Sequence, residues 1–125
     1  MSKLNILIVD DDVINRKLIH KMLQKHNDII GNIYEAKNGA EALVKKDENR
    51  DINMILLDII MPVMDGKEFL KLFRSNTLNS NVPVIVLTTD DSQKSEVLNY
   101  GADDIIIKPI KEEELLKHIK YWVKD

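Results

Sequence analysis

Short, nearly continuous apolar runs recur along this chain, and they restrict its fold more than any other feature. They occupy residues 5–9, 52–57, 82–87 and 105–107 and are rich in Ile, Leu and Val. A strand with one wet face alternates apolar and polar residues, whereas a strand buried on both faces does not. The runs therefore read as strands of a parallel sheet covered by helices on both sides. Residues 32–36 form a weaker run, suited to an edge strand. Between the runs the apolar period becomes helical. Ile14, Leu18, Ile19, Met22 and Leu23 make one stripe, Ala40, Ala42, Leu43 and Val44 a looser one, and Phe69, Leu70 and Phe73 a third. A last stripe of Leu115, Leu116, Ile119, Trp122 and Val123 follows three glutamates at 112–114, which suit the positive end of a helix dipole. Asp90-Asp91-Ser92-Gln93 opens one more helix with a capping pattern, and Gly101 fits its left-handed end. That helix, running to about residue 99, offers only Val97, Leu98 and Tyr100 for burial and is expected to be loosely held.

Strand and helix thus alternate five times. The pattern gives an α/β three-layer sandwich with right-handed crossovers. For five parallel strands the expected order is 2-1-3-4-5, with ligands beyond the carboxyl ends of the strands, where the order reverses. The 125 residues suit a single domain spanning 1–125, with a core over about 5–123. A makeup of 44% apolar and 31% charged residues fits a packed soluble domain. The net charge of −3 disfavours nucleic acid as a partner, because phosphate backbones select basic surfaces. The absence of cysteine excludes disulfides and thiolate chemistry. No apolar run is long enough to span a membrane or to serve as a signal-peptide core, so a cytoplasmic location is expected. The glycines are too few and too scattered for a phosphate-binding or dinucleotide loop.

Polar residues gather where the fold predicts a site. The first strand ends in Asp10-Asp11-Asp12, the third in Asp58, the fourth in Thr88-Thr89 and the fifth in Lys108-Pro109. Asp12 equally fits the N-cap of the first helix. Asp58 stands inside a run of apolar residues, where an unpaired carboxylate is costly. Carboxylates brought this close disfavour one another's ionisation, and a hard divalent cation such as Mg²⁺ relieves the conflict. A hydroxyl and an ammonium beside them suit a phosphoryl group. Together these are the parts that phosphoryl transfer to a carboxylate requires.

The same residues, in this order, resemble the receiver domain of bacterial two-component response regulators. The likeness rests on residues 6–12, on Leu56-Leu57-Asp58 with residues 61–66, on residues 84–88, and on residues 101–104 leading to Lys108-Pro109. It covers almost the whole chain and implies a flavodoxin-like (βα)5 sandwich. It further implies that Asp58 is the phosphoacceptor, and that Asp11, Asp58 and the backbone carbonyl of Ile60 bind Mg²⁺ with help from Asp10. Thr88 and Lys108 would contact the phosphoryl group, and the Lys108-Pro109 bond would be cis. The phosphoryl group would come from a phosphohistidine of a sensor kinase or phosphotransfer protein. Catalysis would be confined to the domain's own phosphorylation and dephosphorylation. Output would pass to a downstream protein on the face of the fourth helix, fifth strand and fifth helix, with neither nucleic acid nor membrane as partner.

The chain departs from the family at Ile105, where an aromatic residue is common, and at Ile60 and Thr89, which predict an apolar, crowded rim and slow hydrolysis. Because the domain uses nearly all 125 residues, a stand-alone, chemotaxis-regulator-like protein is expected. A receiver segment of a hybrid kinase or multidomain regulator would have the same sequence pattern. A receiver that is never phosphorylated is a further reading. A small phosphatase resembling the haloacid dehalogenases is the alternative from another class. There Asp10 would be the nucleophile and Asp12 the general acid, with Thr88 and Lys108 imitating that family's other groups. It leaves Asp58 without a role.

Overall fold

The computed structural model describes residues 3–59, 61 and 63–123. Five strands and five helices alternate: β1 (Leu4–Val9), α1 (Val13–Gln24), β2 (Ile30–Ala36), α2 (Gly39–Glu48), β3 (Met54–Asp58), α3 (Gly66–Ser75), β4 (Val84–Thr88), α4 (Lys94–Asn99), β5 (Asp104–Ile107) and α5 (Glu112–Tyr121). The strands form one parallel sheet in the order β2-β1-β3-β4-β5. This is the doubly wound order expected from the sequence, and β2 is the edge strand that its weaker apolar run implies.

Successive side chains of a strand point to opposite faces, so each apolar run feeds two cores. Leu7, Val9, Ile55, Leu57, Val84, Val86 and Ile105 pack with Phe69, Leu70, Phe73 and Val97. Ile6, Ile8, Met54, Leu56, Ile85, Leu87 and Ile106 pack with Ile19, Leu23, Leu115 and Ile119. Helices α2, α3 and α4 therefore cover one face and α1 and α5 the other. Phe69 and Phe73 stack at 5.2 Å between ring centroids and seal the first core. Truncating either ring would cost about 3–5 kcal/mol.

Two stripes bury less than their spacing suggests. On α1 only Ile19 and Leu23 are buried, while Ile14 is 67% and Leu18 53% exposed. A single helix packed on a sheet has a narrow buried face, and the outer members of a broad stripe remain at its margins. In α2, Ala42 is buried and Val44 exposed. Helix α4 is as thinly held as its composition implies. Asp90 caps a 3-10 turn at Asp91–Gln93, after which α4 begins. Val97 is fully buried, whereas Leu98 and Tyr100 remain partly exposed. The helix ends in a Schellman motif. Gly101 N–H donates to Leu98 and Ala102 N–H to Val97, with Gly101 at φ +113°.

Candidate functional site

The carboxyl ends of β1, β3, β4 and β5 meet at one rim, and each strand end is fixed by local bonds. Leaving β1, Asp10 donates its N–H to the Ala36 carbonyl of β2 at 3.1 Å. Its Oδ1 accepts from the Asp12 N–H at 2.9 Å, and Asp12 in turn caps α1 by accepting from the Ile14 N–H at 2.8 Å. Asp12 is thus a capping residue, as its position before an apolar-periodic segment implies. Asp11 lies between these two fixed points with its side chain exposed.

β3 delivers Asp58 to the same place. The loop beyond it is tied by the Gly66 N–H, which donates to the Ile59 carbonyl at 2.8 Å. A Cβ on Gly66 would lie 2.7 Å from the Ile59 Cα. Glycine is required here because helix α3 starts against the backbone that carries Asp58. β4 contributes Thr88, buried, whose Oγ1 accepts from the Asp90 N–H at 3.2 Å. β5 contributes Lys108. Its N–H donates to the Thr88 carbonyl at 2.7 Å, and the Lys108-Pro109 bond is cis. The Lys108 ammonium stands 3.7 Å from Asp10 Oδ2 and 3.8 Å from Asp58 Oδ1.

Carboxylate oxygens of Asp10, Asp11 and Asp58 all lie within 4.8 Å of one another. Asp10 is only 2% exposed, and its Oδ2 is buried with no hydrogen-bond donor among the described residues. A buried carboxylate oxygen in this condition is costly unless a cation faces it. Lys108, near but not in hydrogen-bonding contact, meets the need only in part. An all-oxygen donor set with one exposed member fits a hard divalent ion that keeps several waters. Ile60, whose carbonyl the resemblance adds to this set, lies outside the described residues. Thr89, expected to crowd the rim, is exposed.

The comparisons with known proteins agree with this geometry. Residues 6–120 match the family model of the response regulator receiver domain. The chain belongs to that family. Phosphoacceptance in two-component signalling is therefore its class of function. The transcriptional regulatory protein CpxR homolog of Haemophilus influenzae is 39% identical over 96% of this chain, which spans about half (49%) of that relative. The chemotaxis protein CheY4 of Vibrio cholerae has the same fold, with a TM-score of 0.88 and 31% identity over 98% of this chain and all (100%) of that one. The receiver domain of sensor histidine kinase PA1611 from Pseudomonas aeruginosa gives a TM-score of 0.85 and 27% identity, covering 97% and 98% of the two chains, and carries a magnesium ion coordinated in its active site cleft. The dehalogenase-like phosphatase is not favoured. Its general acid would be Asp12, which is committed to the helix cap, and its scheme leaves the converging Asp58 idle.

Sequence reasoning missed the supports behind the rim. Arg16 of α1 reaches back to donate from Nη1 to the Asp10 carbonyl at 2.6 Å and from Nε to Glu35 Oε1 at 3.0 Å. Glu35, on β2, also accepts from Lys17 at 2.9 Å and contacts His20 at 2.8 Å. Its burial favours the neutral acid, but hydrogen bonds from Lys17, His20 and Arg16 overcome this and hold the carboxyl at about 2. The other two histidines also face carboxylates, His26 with Glu112 and His118 with Asp104. No spacing along the chain announces these pairs, because each joins separate elements.

Proposed function

We propose that Asp58 accepts a phosphoryl group from a phosphohistidine on a sensor kinase or phosphotransfer protein, in a step that depends on Mg²⁺. The observation that carries this reading is the convergence of Asp10, Asp11 and Asp58 with the Lys108 ammonium, Asp10 Oδ2 being buried without a donor. An Asp58 carboxylate oxygen attacks phosphorus, the P–N bond of the phosphohistidine breaks, and an acyl phosphate P–O bond forms. The departing imidazole takes up a proton from solvent. Asp10, Asp11 and Asp58 would hold the metal ion, joined by the Ile60 carbonyl that the family resemblance implies. When bound, Mg²⁺ supplies charge neutralisation for the carboxylates and the phosphoryl oxygens. Lys108, already within 4 Å of two carboxylates, turns its charge to the added phosphate. Thr88 presents its hydroxyl to a phosphoryl oxygen.

The added charge of about −1.5 to −2 acts on Thr88 and Lys108, which flank the thinly packed α4. The output surface is the face of α4, β5 and α5, on which Leu98, Tyr100, Ile107 and Tyr121 are exposed. The domain signals in the cytoplasm through protein contacts there, catalysing only its own phosphorylation and dephosphorylation. No helix among the described residues is long and apolar enough to cross a membrane.

Intact-mass measurement after incubation with Mg²⁺ and acetyl phosphate, followed by peptide mapping, tests the assignment. One phosphoryl adduct on Asp58, absent in Asp58→Asn and without Mg²⁺, is the expected result. An adduct on Asp10 instead would overturn it. So would the lack of any adduct with both acetyl phosphate and a phosphorylated donor protein.

A further inference from the structure

We infer that Arg16 is a positioning residue for the metal centre: by gripping the Asp10 backbone it sets the carboxylates of Asp10 and Asp11 for Mg²⁺. The inference rests on the reading of the rim as a metal-dependent phosphoacceptor site.

The β1–α1 turn carries two of the three clustered acids, and like charges on a short loop drive it apart. The structure opposes this with a closed circuit of bonds. Asp10 N–H is held by Ala36 of β2, Asp10 Oδ1 by the Asp12 N–H, and Asp12 by the Ile14 N–H. Arg16, in the first turns of α1, closes the circuit at the Asp10 carbonyl with a 2.6 Å bond. With its backbone N–H and carbonyl both bonded, Asp10 holds its Oδ2 buried, and Asp11 is delivered between Asp10 and the capping Asp12.

Arginine suits this position because its planar fork serves two acceptors in fixed directions. One edge meets the Asp10 carbonyl and the other Glu35, and the side chain is only 14% exposed. Glu35 has a second effect. An uncompensated guanidinium beside the acids would compete with a metal ion for their charge. Glu35 neutralises it through its bond to Nε, while Nη1 holds the Asp10 carbonyl. Lys17 shares Glu35 but bonds no atom of the Asp10–Asp12 turn among the contacts seen, so it separates a general charge effect from positioning.

Calorimetric titration of the folded protein with Mg²⁺ tests the inference, alongside thermal unfolding without metal. Arg16→Gln is expected to weaken Mg²⁺ binding about tenfold, the usual cost of removing a group that orients a ligand. Arg16→Lys, which keeps the charge but not the fork, should lose less, and Lys17→Ala should stay within about twofold of the parent. The rate of Asp58 adduct formation in Arg16→Gln should recover at saturating Mg²⁺, since the metal's occupancy is what was lost. A folded Arg16→Gln with parental Mg²⁺ affinity overturns the inference, whatever its melting temperature. If Arg16→Gln does not fold, Arg16→Lys decides in its place, and parental affinity there has the same meaning. Equal weakening in Lys17→Ala also overturns it, in favour of a general charge effect. A parent that binds no Mg²⁺ sinks the functional reading and this inference together. A parent that binds Mg²⁺ and forms the Asp58 adduct, with variants that bind equally well, sinks only the inference.

Discussion

Glu35→Gln probes how the Glu35 cluster contributes to folding. The carboxyl ordinarily titrates at 4.5 and here at about 2. At 1.36 kcal/mol per unit, that difference of 2.5 units corresponds to a ceiling of about 3.4 kcal/mol. The ceiling must be lowered. Lys17, one of the three donors, is 66% exposed, and exposed pairs are screened to a fraction of their Coulomb energy. About 1.5–2 kcal/mol is a fair expectation at pH 7. Because the folded-state value is depressed, the unfolded chain binds the proton more readily. The stabilisation is complete above pH 4.5 and is lost as pH falls toward 2. By pH 3 more than half should be gone. Urea unfolding of parent and Glu35→Gln at pH 7, 5, 4 and 3, followed by circular dichroism, measures the gap. Only the difference between the proteins matters, since Asp51, Asp90, Asp104 and Glu112 also titrate below their ordinary values. A gap that stays constant from pH 7 to pH 3 would refute the reasoning. It would mean that the variant loses packing and not a charge-assisted network.

Gly66→Ala should destabilise the protein by about 1–3 kcal/mol, since the new methyl must displace Ile59 backbone atoms, and should slow adduct formation on Asp58; unchanged urea midpoint and unchanged rate would remove the close approach as a reason for this glycine. Asp104 Oδ2 contacts His118 Nδ1 at 2.6 Å and accepts the Trp122 indole N–H at 2.8 Å. Burial works against its charge, but these bonds hold its carboxyl below the ordinary 3.8. The emission of Trp122, the single tryptophan, should therefore shift on acidification below pH 3.8, and Asp104→Asn should abolish that transition; an identical acid transition in the variant would assign it to another group.

The fold was legible because its strands are buried on both faces. A β-branched run of five residues that never alternates has few other solutions, and the helical stripes between the runs fixed the alternation. The strand-end chemistry was legible for a related reason. Parallel strands all present their carboxyl ends to one side, so Asp10, Asp58, Thr88 and Lys108 must share a rim once the strands are placed. Capping residues were also readable, Asp12 and Asp90 at helix starts and Gly101 at an end, because their partners are two to five residues away. What escaped were bonds between elements. Arg16 to Asp10 closes only when α1 packs beside β1, and Glu35 enters only because β2 is the neighbouring edge. The exposure of Ile14 and Leu18 was equally hidden, since a stripe records which side of a helix is apolar and not how much of that side the sheet covers.

The two halves of the rim are built to different stiffness, and the difference follows from packing. On the β1 side the acids are tied by a cap, a strand bond and a guanidinium, and α1 behind them carries Ile19 and Leu23 into the core. On the β4 side Thr88 leads through an Asp-capped turn into α4, which commits Val97 to the core. Elements with few buried contacts open at low free-energy cost. A charge added at Asp58 therefore meets a fixed wall on one side and a movable one on the other. Ile105 is buried against the same core as Val97. Its short branched chain packs there with little room to change its exposure. With Val97 as its one buried anchor, α4 is expected to respond to phosphorylation as a body, carried by the backbone between Thr88 and Lys94; equal amide exchange in α4 with and without the adduct would refute this.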